Sequence, residues 1–380
     1  MQSLKYKAVN WQDGMKISKD HLIQQESFFI ECLRDVTSAQ ISAQNYGLLS
    51  LNNETGKSIN LKVTVDPAKI IRAHLLECHA INAAGERIEI SGSKLTADYD
   101  YSESKEKNFY VSISVNLFAR VPVGSPAPNE EPARQPFCEP SYQLGIHPES
   151  QISNRENTLL IIGKLQTTDG RLQVIDDFIP PSTAVKNFHL LLEKYYLLGN
   201  QLGETANLNL SIVQKIHAKS QATSLVKSFM ILSEKISDFL AGNLARFMGI
   251  ISELPPVYLI ENFIRFAYMI RFTLERMPPK DKEELLTYFS EWTDMTVPQI
   301  NERISVMLRI EYRHDDILQS LSKAEEFMIM VHTIFSRLNA LDFIGKKKGG
   351  GAFVTELPAD QAKQEVKPQD QKKGWSFLAD

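Results

Sequence analysis

His74, Cys78 and His79 are the side chains in this sequence best suited, by type and closeness, to hold a soft metal ion. A zinc site needs three or four such ligands converging on one point. Side chains alternate across a strand, so His74 and Cys78 are predicted to share a face and His79 to point the other way. No second histidine or cysteine cluster lies near in sequence, and the three read as ordinary strand residues. Asp176-Asp177 and Asp315-Asp316 are paired carboxylates, the type that divides acid and base work. Adjacent side chains diverge on a strand or a helix, so each pair reads as a solvated edge. Gly345 to Gly351 mixes glycine with lysine, as phosphate-cradling loops do, but lacks the G-x-x-x-x-G-K-[ST] spacing and follows no strand. G-x-S-x-G, H-E-x-x-H and G-x-G-x-x-G do not occur. No catalytic residue, metal ligand or cofactor is predicted; a hydrolase with a dispersed site is the enzymatic alternative.

The elements that would position any chemistry are of two kinds. Between Asn45 and Asp177 the pattern has period two: Ile59, Leu61, Val63 and Val65 alternate with polar residues, as do Phe109, Val111, Ile113, Val115 and Leu117. Such alternation marks half-buried strands. Ala83-Ala84-Gly85 and Thr168-Asp169-Gly170 supply hairpin turns. Strands joined by turns, without helices between them, predict an antiparallel β-sandwich. The prolines from Pro122 to Pro140 interrupt it and predict a long extended loop, idle or reaching a neighbouring subunit.

After Phe178-Ile179-Pro180-Pro181 the period becomes helical. Phe188, Leu191, Leu192, Tyr195 and Leu198 form one stripe, and a second runs from Leu225 to Ile251. Pro255-Pro256 opens a third helix, since first-turn N–H groups have no intrahelical partner to lose. Asp281 with Glu284, and Thr296 with Gln299, read as capping boxes. Ile317, Leu321, Ala324, Met328, Val331, Phe335 and Leu338 recur at alternating steps of 4 and 3. That mean of about 3.5 is the period of a coiled-coil seam. The seam is either buried in its own bundle or shared between subunits.

A chain of 380 residues, 43% of them hydrophobic, can bury two cores. A net charge of −4, with no clustered excess of Lys and Arg, argues against nucleic acid as partner. Cys32, Cys78 and Cys138 are odd in number and far apart, which fits a reducing cytoplasm. No apolar leader opens the chain, and no run approaches the ~20 residues of a membrane span. Beyond Asp342 a glycine-lysine hinge leads into a polar stretch predicted to be disordered. Trp375, Phe377 and Leu378 near its end are a candidate partner-docking peptide. The expected organisation is 1–180, 181–342 and 343–380.

The stretch from Val9 to Gln25 holds Trp11, the turn Asp13-Gly14-Met15, a helix cap at Ser18, then His21 and Gln24-Gln25. Leu22, Ile23, Phe28 and Phe29 give the helix an apolar stripe, and the whole reads as an anchor for the N-terminal segment. It resembles the signature V-x-W-x-E-G-M-x-L-x-P-Q-H-F-Q-Q of the TssK family of type VI secretion baseplate subunits. Asp13 replaces Glu, Lys19-Asp20 replaces Pro-Gln, and Leu22 replaces Phe. Asp177 to Ser182, containing Pro180-Pro181, and Leu254 to Leu259 resemble two further family motifs in the same order. The resemblance covers residues 1–342. It implies an α+β multidomain protein with a β-sandwich shoulder and a helical-bundle neck, assembled as a homotrimer like phage receptor-binding adaptors. The implied work is non-enzymatic. Trimers would attach to the TssF–TssG wedge, connect it to the membrane complex at the cytoplasmic face of the inner membrane, and support sheath and tube assembly. Where the family continues into a folded head, the tail is expected here, with Trp375 and Phe377 taking over part of the docking. A phage-tail adaptor is the alternative within the same class.

Overall fold

Strands with one apolar face are stable only when that face is covered. The computed structural model describes residues 4–50, 58–152, 158–169 and 171–345. Its first half runs α1 (Lys19–Ser38), β1 (Gly47–Leu48), β2 (Ile59–Val65), β3 (Ile70–Ile81), β4 (Arg87–Asp100), β5 (Asn108–Val123), β6 (Phe137–Pro148), α2 (Glu149–Ile152), β7 (Leu160–Thr168) and β8 (Arg171–Val174). The strands form two antiparallel sheets. In one, β3 pairs with β4 along one edge and with β1 and β2 along the other. The second has the order β6-β5-β7-β8. Ile71, Ala73, Leu75 and Ile88 of the first sheet share a buried core with Phe109, Val111, Ile113 and Leu165 of the second.

Two expectations for this half need correction. β3 carries a register shift between Leu75 and Glu77. The bulge breaks the alternation, so Cys78 turns into the core while His74 stays half-buried on the other side. His74 and Cys78 therefore do not share a face. Burial pushes the Cys78 thiol up to about 12, the opposite of a metal-ready thiolate. The proline-rich loop is shorter than 122–140: Val121, Pro122 and Val123 pair with Glu139, Cys138 and Phe137, so the loop is 124–136 and holds Pro126, Pro128, Pro132 and Pro136. Pro122 is tolerated there because, among the described residues, β6 is an edge strand and β5 beyond Ile113 pairs with β6 alone.

The second half is helical: α3 (His189–Ala218), α4 (Ser224–Gly249), α5 (Pro256–Glu275), α6 (Pro279–Trp292), α7 (Val297–Leu308) and α8 (Ile317–Asn339). Pro256 and Pro279 stand in the first turns of α5 and α6. Asp281 is thus already inside α6 and is not its cap, whereas Thr296 and Gln299 do cap α7 reciprocally. Aromatic contacts tie the bundle. Tyr195 stacks on Phe247 at 5.1 Å and its hydroxyl donates to the Phe247 carbonyl at 2.7 Å, while Phe239 stacks on Phe266 at 4.8 Å.

The proposed seam on α8 also needs correction. Ile317, Leu321, Ala324, Met328, Val331, Phe335 and Leu338 are all buried by their own chain. A second row, Phe327, Met330 and Ile334, is buried beside them. The apolar face is thereby wider than a coiled-coil seam and has the breadth of a helix at the centre of a bundle. The row is internal and is not offered to another subunit. Trp375, Phe377 and Leu378 lie outside the described residues.

Candidate functional site

An amphipathic helix normally turns its apolar side inward. α1 does the reverse. Its buried residues are Ser27 and Glu31, while Leu22, Phe29, Leu33 and Val36 are 58%, 56%, 68% and 62% exposed. With Glu26 they recur at steps of 4, 3, 4 and 3, which places them in one row. Each such side chain forgoes roughly 1.5–3 kcal/mol by remaining in water. Ile17 and Trp11, also exposed, extend the apolar surface past the start of the helix.

The signature residues hold this helix and the strap that precedes it. Gly14 has φ 76°, and the Met15 N–H closes a turn onto the Gln12 carbonyl at 3.2 Å. His21 lies one turn into α1 and accepts the Ser18 N–H at its Nδ1, 3.2 Å away, which ties down a backbone donor at the helix entry. Trp11 packs edge-on against the His21 ring at 6.2 Å. Gln24 donates to the Lys7 carbonyl and Gln25 accepts the Val9 N–H, both at 3.1 Å. Glu31 accepts the Tyr6 N–H at 2.6 Å and pairs with Arg34 at 3.2 Å. Burial raises the Glu31 pKa, but the backbone N–H groups of Tyr6 and Lys5 and the charges of Arg34 and Lys5 prevail and hold it below the usual carboxylate range. Gln24 and Gln25 thus reach the strap and Trp11 meets His21, while Gly14 and Met15 form the turn between them. Leu22 and Phe29 do not serve that anchor; they face out.

The sandwich supports α1 from its rim. Arg120 of the β5–β6 hairpin pairs with Glu26. Tyr6 packs on Phe118 at 4.7 Å, with Arg34 over the same ring. The helix ends against the β3–β4 turn, where Gly85 has φ 79° and a Cβ would lie 2.7 Å from the Ser38 nitrogen.

Pro180 and Pro181 sit elsewhere, at the passage from sandwich to bundle. The Leu48 N–H donates to the Pro181 carbonyl at 2.8 Å. The Leu48 carbonyl accepts the Thr183 N–H, the Thr183 hydroxyl and the Asn187 amide at 3.0, 2.9 and 2.9 Å. Gly47, with φ 114°, passes so close that a Cβ would stand 2.0 Å from the Pro181 oxygen. Beside this joint a cleft of about 390 Å³ is lined by Leu61, Val63, Phe178 and Phe188, with Lys62, Lys164, Asp176 and His189 as its ionisable groups. No serine, threonine or cysteine lines it, and no group of three metal-ligating side chains occurs among the described residues.

No protein-family model and no curated protein sequence matches the chain. Solved structures do. A crystal structure of TssK superposes with a TM-score of 0.50 at 15% identity, over 86% of this chain and 69% of that one. A chain of the type VI secretion TssK–TssF–TssG baseplate subcomplex gives 0.50 at 13% identity, over 86% of this chain and 99% of that one. The chain has a TssK-like fold. That fold accounts for an α+β chain with a sandwich followed by a helical region. At these identities the likeness concerns the fold alone. No helix among the described residues is long and apolar enough to cross a membrane.

Sequence reasoning did not single out the outward row on α1 or the joint at Gly47-Leu48. The first had a readable signal: Gln24, Gln25 and Glu31 are polar on the side that the strap needs, which leaves the apolar side to face away.

Proposed function

We propose that this chain is a non-enzymatic structural subunit of a type VI secretion baseplate, working as a homotrimer, and that α1 is the surface by which it joins the wedge proteins TssF and TssG. The observation that carries this is the row Leu22, Phe29, Leu33 and Val36, an apolar helix face held clear of both hydrophobic cores. A helix face of this spacing is the shape that enters a groove on a partner. The TssK-like fold supports the assembly role, and the TssK–TssF–TssG subcomplex among the matching structures supports the choice of partner. In this reading 1–180 forms the shoulder, 181–342 the neck and 343–380 a tail. The chain works at the cytoplasmic face of the inner membrane, linking wedge to membrane complex, with Trp375, Phe377 and Leu378 as the contact to the latter.

The test is co-purification with TssF and TssG from the same organism. The double variant Phe29→Glu, Leu33→Glu is expected to lose wedge capture while melting within a degree or so of the native protein, since neither side chain is part of a core. Undiminished capture by that variant overturns the assignment of α1.

A further inference from the structure

A groove of about 530 Å³ lies between the C-terminal end of α3 and the first turns of α4. Val226, Met230 and Ile231 supply its apolar wall, and Ile231 is 50% exposed. Lys227 and His217, both exposed, are its ionisable groups, and no carboxylate lines it. Gln221 Oε1 is buried in the same lining with no hydrogen-bond partner among the described residues. A buried acceptor left unpaired is costly, so the groove is suited to an occupant that brings an apolar surface and an N–H donor together.

Residue 345, where the described chain stops, lies beside this groove. The Gly345 N–H donates to the Tyr288 hydroxyl at 3.0 Å, and a Cβ on Gly345 would stand 3.0 Å from the Val226 side chain. Val226 thus borders both the exit of the chain and the groove. Lys346 to Gly351 carries no apolar side chain; the first large ones beyond it are Phe353 and Val354, with Glu356 two residues further on. Eight residues span roughly 27 Å when extended and about 15 Å on average as a flexible chain. From Val226 to Ile231 is only about 8 Å along α4, so Phe353 and Val354 reach the groove with length to spare.

We infer that Phe353 and Val354 dock into this groove of their own chain as an extended segment, with Glu356 beside Lys227 and a backbone N–H of the segment on Gln221 Oε1. Trp375 and Phe377 are the rival occupants. Trp375 lies 30 residues beyond Gly345 where Phe353 lies 8, and the longer loop lowers the effective concentration about sevenfold. The nearest charge to Trp375 is Lys373, whereas the nearest to Phe353 and Val354 is Glu356, opposite in sign to Lys227. A short flexible tether holds its segment at an effective concentration in the mM range. A contact of only ~0.1 mM affinity is thereby occupied about nine times in ten. Docking fixes the point from which 359–380 departs and leaves Trp375, Phe377 and Leu378 for the contact proposed above. It makes no use of the baseplate assignment.

Photo-crosslinking of the full-length chain tests it, with a benzophenone side chain placed at position 353. Irradiation is expected to join that position to Met230 and Ile231 within one chain, which still migrates at 43.1 kDa under denaturing conditions. Ile231→Glu and Val354→Ser are each expected to lower the yield about fivefold or more with the melting temperature retained, since neither changes a residue of a core. Lys227→Glu is expected to lower it too, and adding Glu356→Lys to restore it. Amide exchange at Thr355 and Glu356 reads the same contact without a probe, and is expected to be about tenfold slower in the wild type than in Val354→Ser. Crosslinks to a second chain, crosslinks that miss α3 and α4, or equal exchange in wild type and variant overturn the inference. A probe at position 375 that reaches the groove more readily than the one at 353 overturns it as well.

Discussion

Glu31 fastens the N-terminal strap through a single carboxylate, taking the Tyr6 N–H on one oxygen and Arg34 on the other. Glu31→Gln keeps the shape but removes the charge, and is expected to weaken the strap by about 1–3 kcal/mol. Amide exchange at Tyr6 and Val9 should quicken while the bundle's exchange stays unchanged. The charge also sets a pH dependence. Because the folded pKa lies below the ordinary 4.5, the fastening is complete above that value and is lost as pH falls through the lowered one. Trp11 emission, followed in acid, should report release of the strap before the bundle unfolds. Glu31 was not legible as an anchor, since one acidic residue on a helix reads as a solvated one until the strap is seen lying over it. Gln24 and Gln25 were legible only as part of a signature; the structure supplies their reason, the carbonyl of Lys7 and the N–H of Val9.

Among the elements, α1 and α8 show what periodicity carries and what it omits. Both have rows at steps of 4 and 3, apolar throughout on α8 and apolar but for Glu26 on α1, yet one row is exposed and the other is core. Leu321→Ala on α8 is expected to cost about 2–5 kcal/mol, since it empties space in a packed interior. Leu33→Ala on α1 is expected to change stability by less than about 0.5 kcal/mol. Chemical denaturation of the two variants decides between them. Strand and helix types were legible because the periods of 2 and 3.6 follow from backbone geometry. Which neighbour a stripe meets does not follow from its period. On α8 the extra row Phe327, Met330 and Ile334 was in plain view and pointed to burial within the chain. The bulge in β3 went unread although Gly92, with φ 72°, stands opposite it; the one residue by which β3 exceeds β2 there was enough to separate His74 from Cys78.

The molecule as a whole is joined by few but buried contacts. His314, at the foot of α8, holds the Tyr46 carbonyl through Nε2 and the Tyr312 hydroxyl through Nδ1, both at 2.7 Å. Lys164 of β7 lies 3.8 Å from Asp316 close by. Burial pushes the His314 pKa down to about 4, only partly offset by the Tyr46 carbonyl and Asp315. The unfolded chain therefore binds the proton more readily. Stability is complete above about 6.5 and declines as pH falls towards 4, by up to roughly 3 kcal/mol. His314→Gln should flatten that part of the pH profile, measured as the urea midpoint between pH 7 and pH 4. The place where the period changes, Pro180-Pro181, was legible. Its partner Gly47-Leu48 was not, because a two-residue strand has no period and its contact is distant in sequence.

Three donors on the Leu48 oxygen, beside a glycine that admits no side chain, leave sandwich and bundle little freedom to pivot about each other. Compliance is thereby moved to the periphery. α1 contributes to neither core and is held by the strap along one side, by the β5–β6 hairpin at its flank and by the turn at Gly85 at its end. A pull on α1 passes through Arg120 into β5, the strand that runs from the hairpin to the middle of the sheet. Under load, helix and hairpin are expected to give way before the joint does.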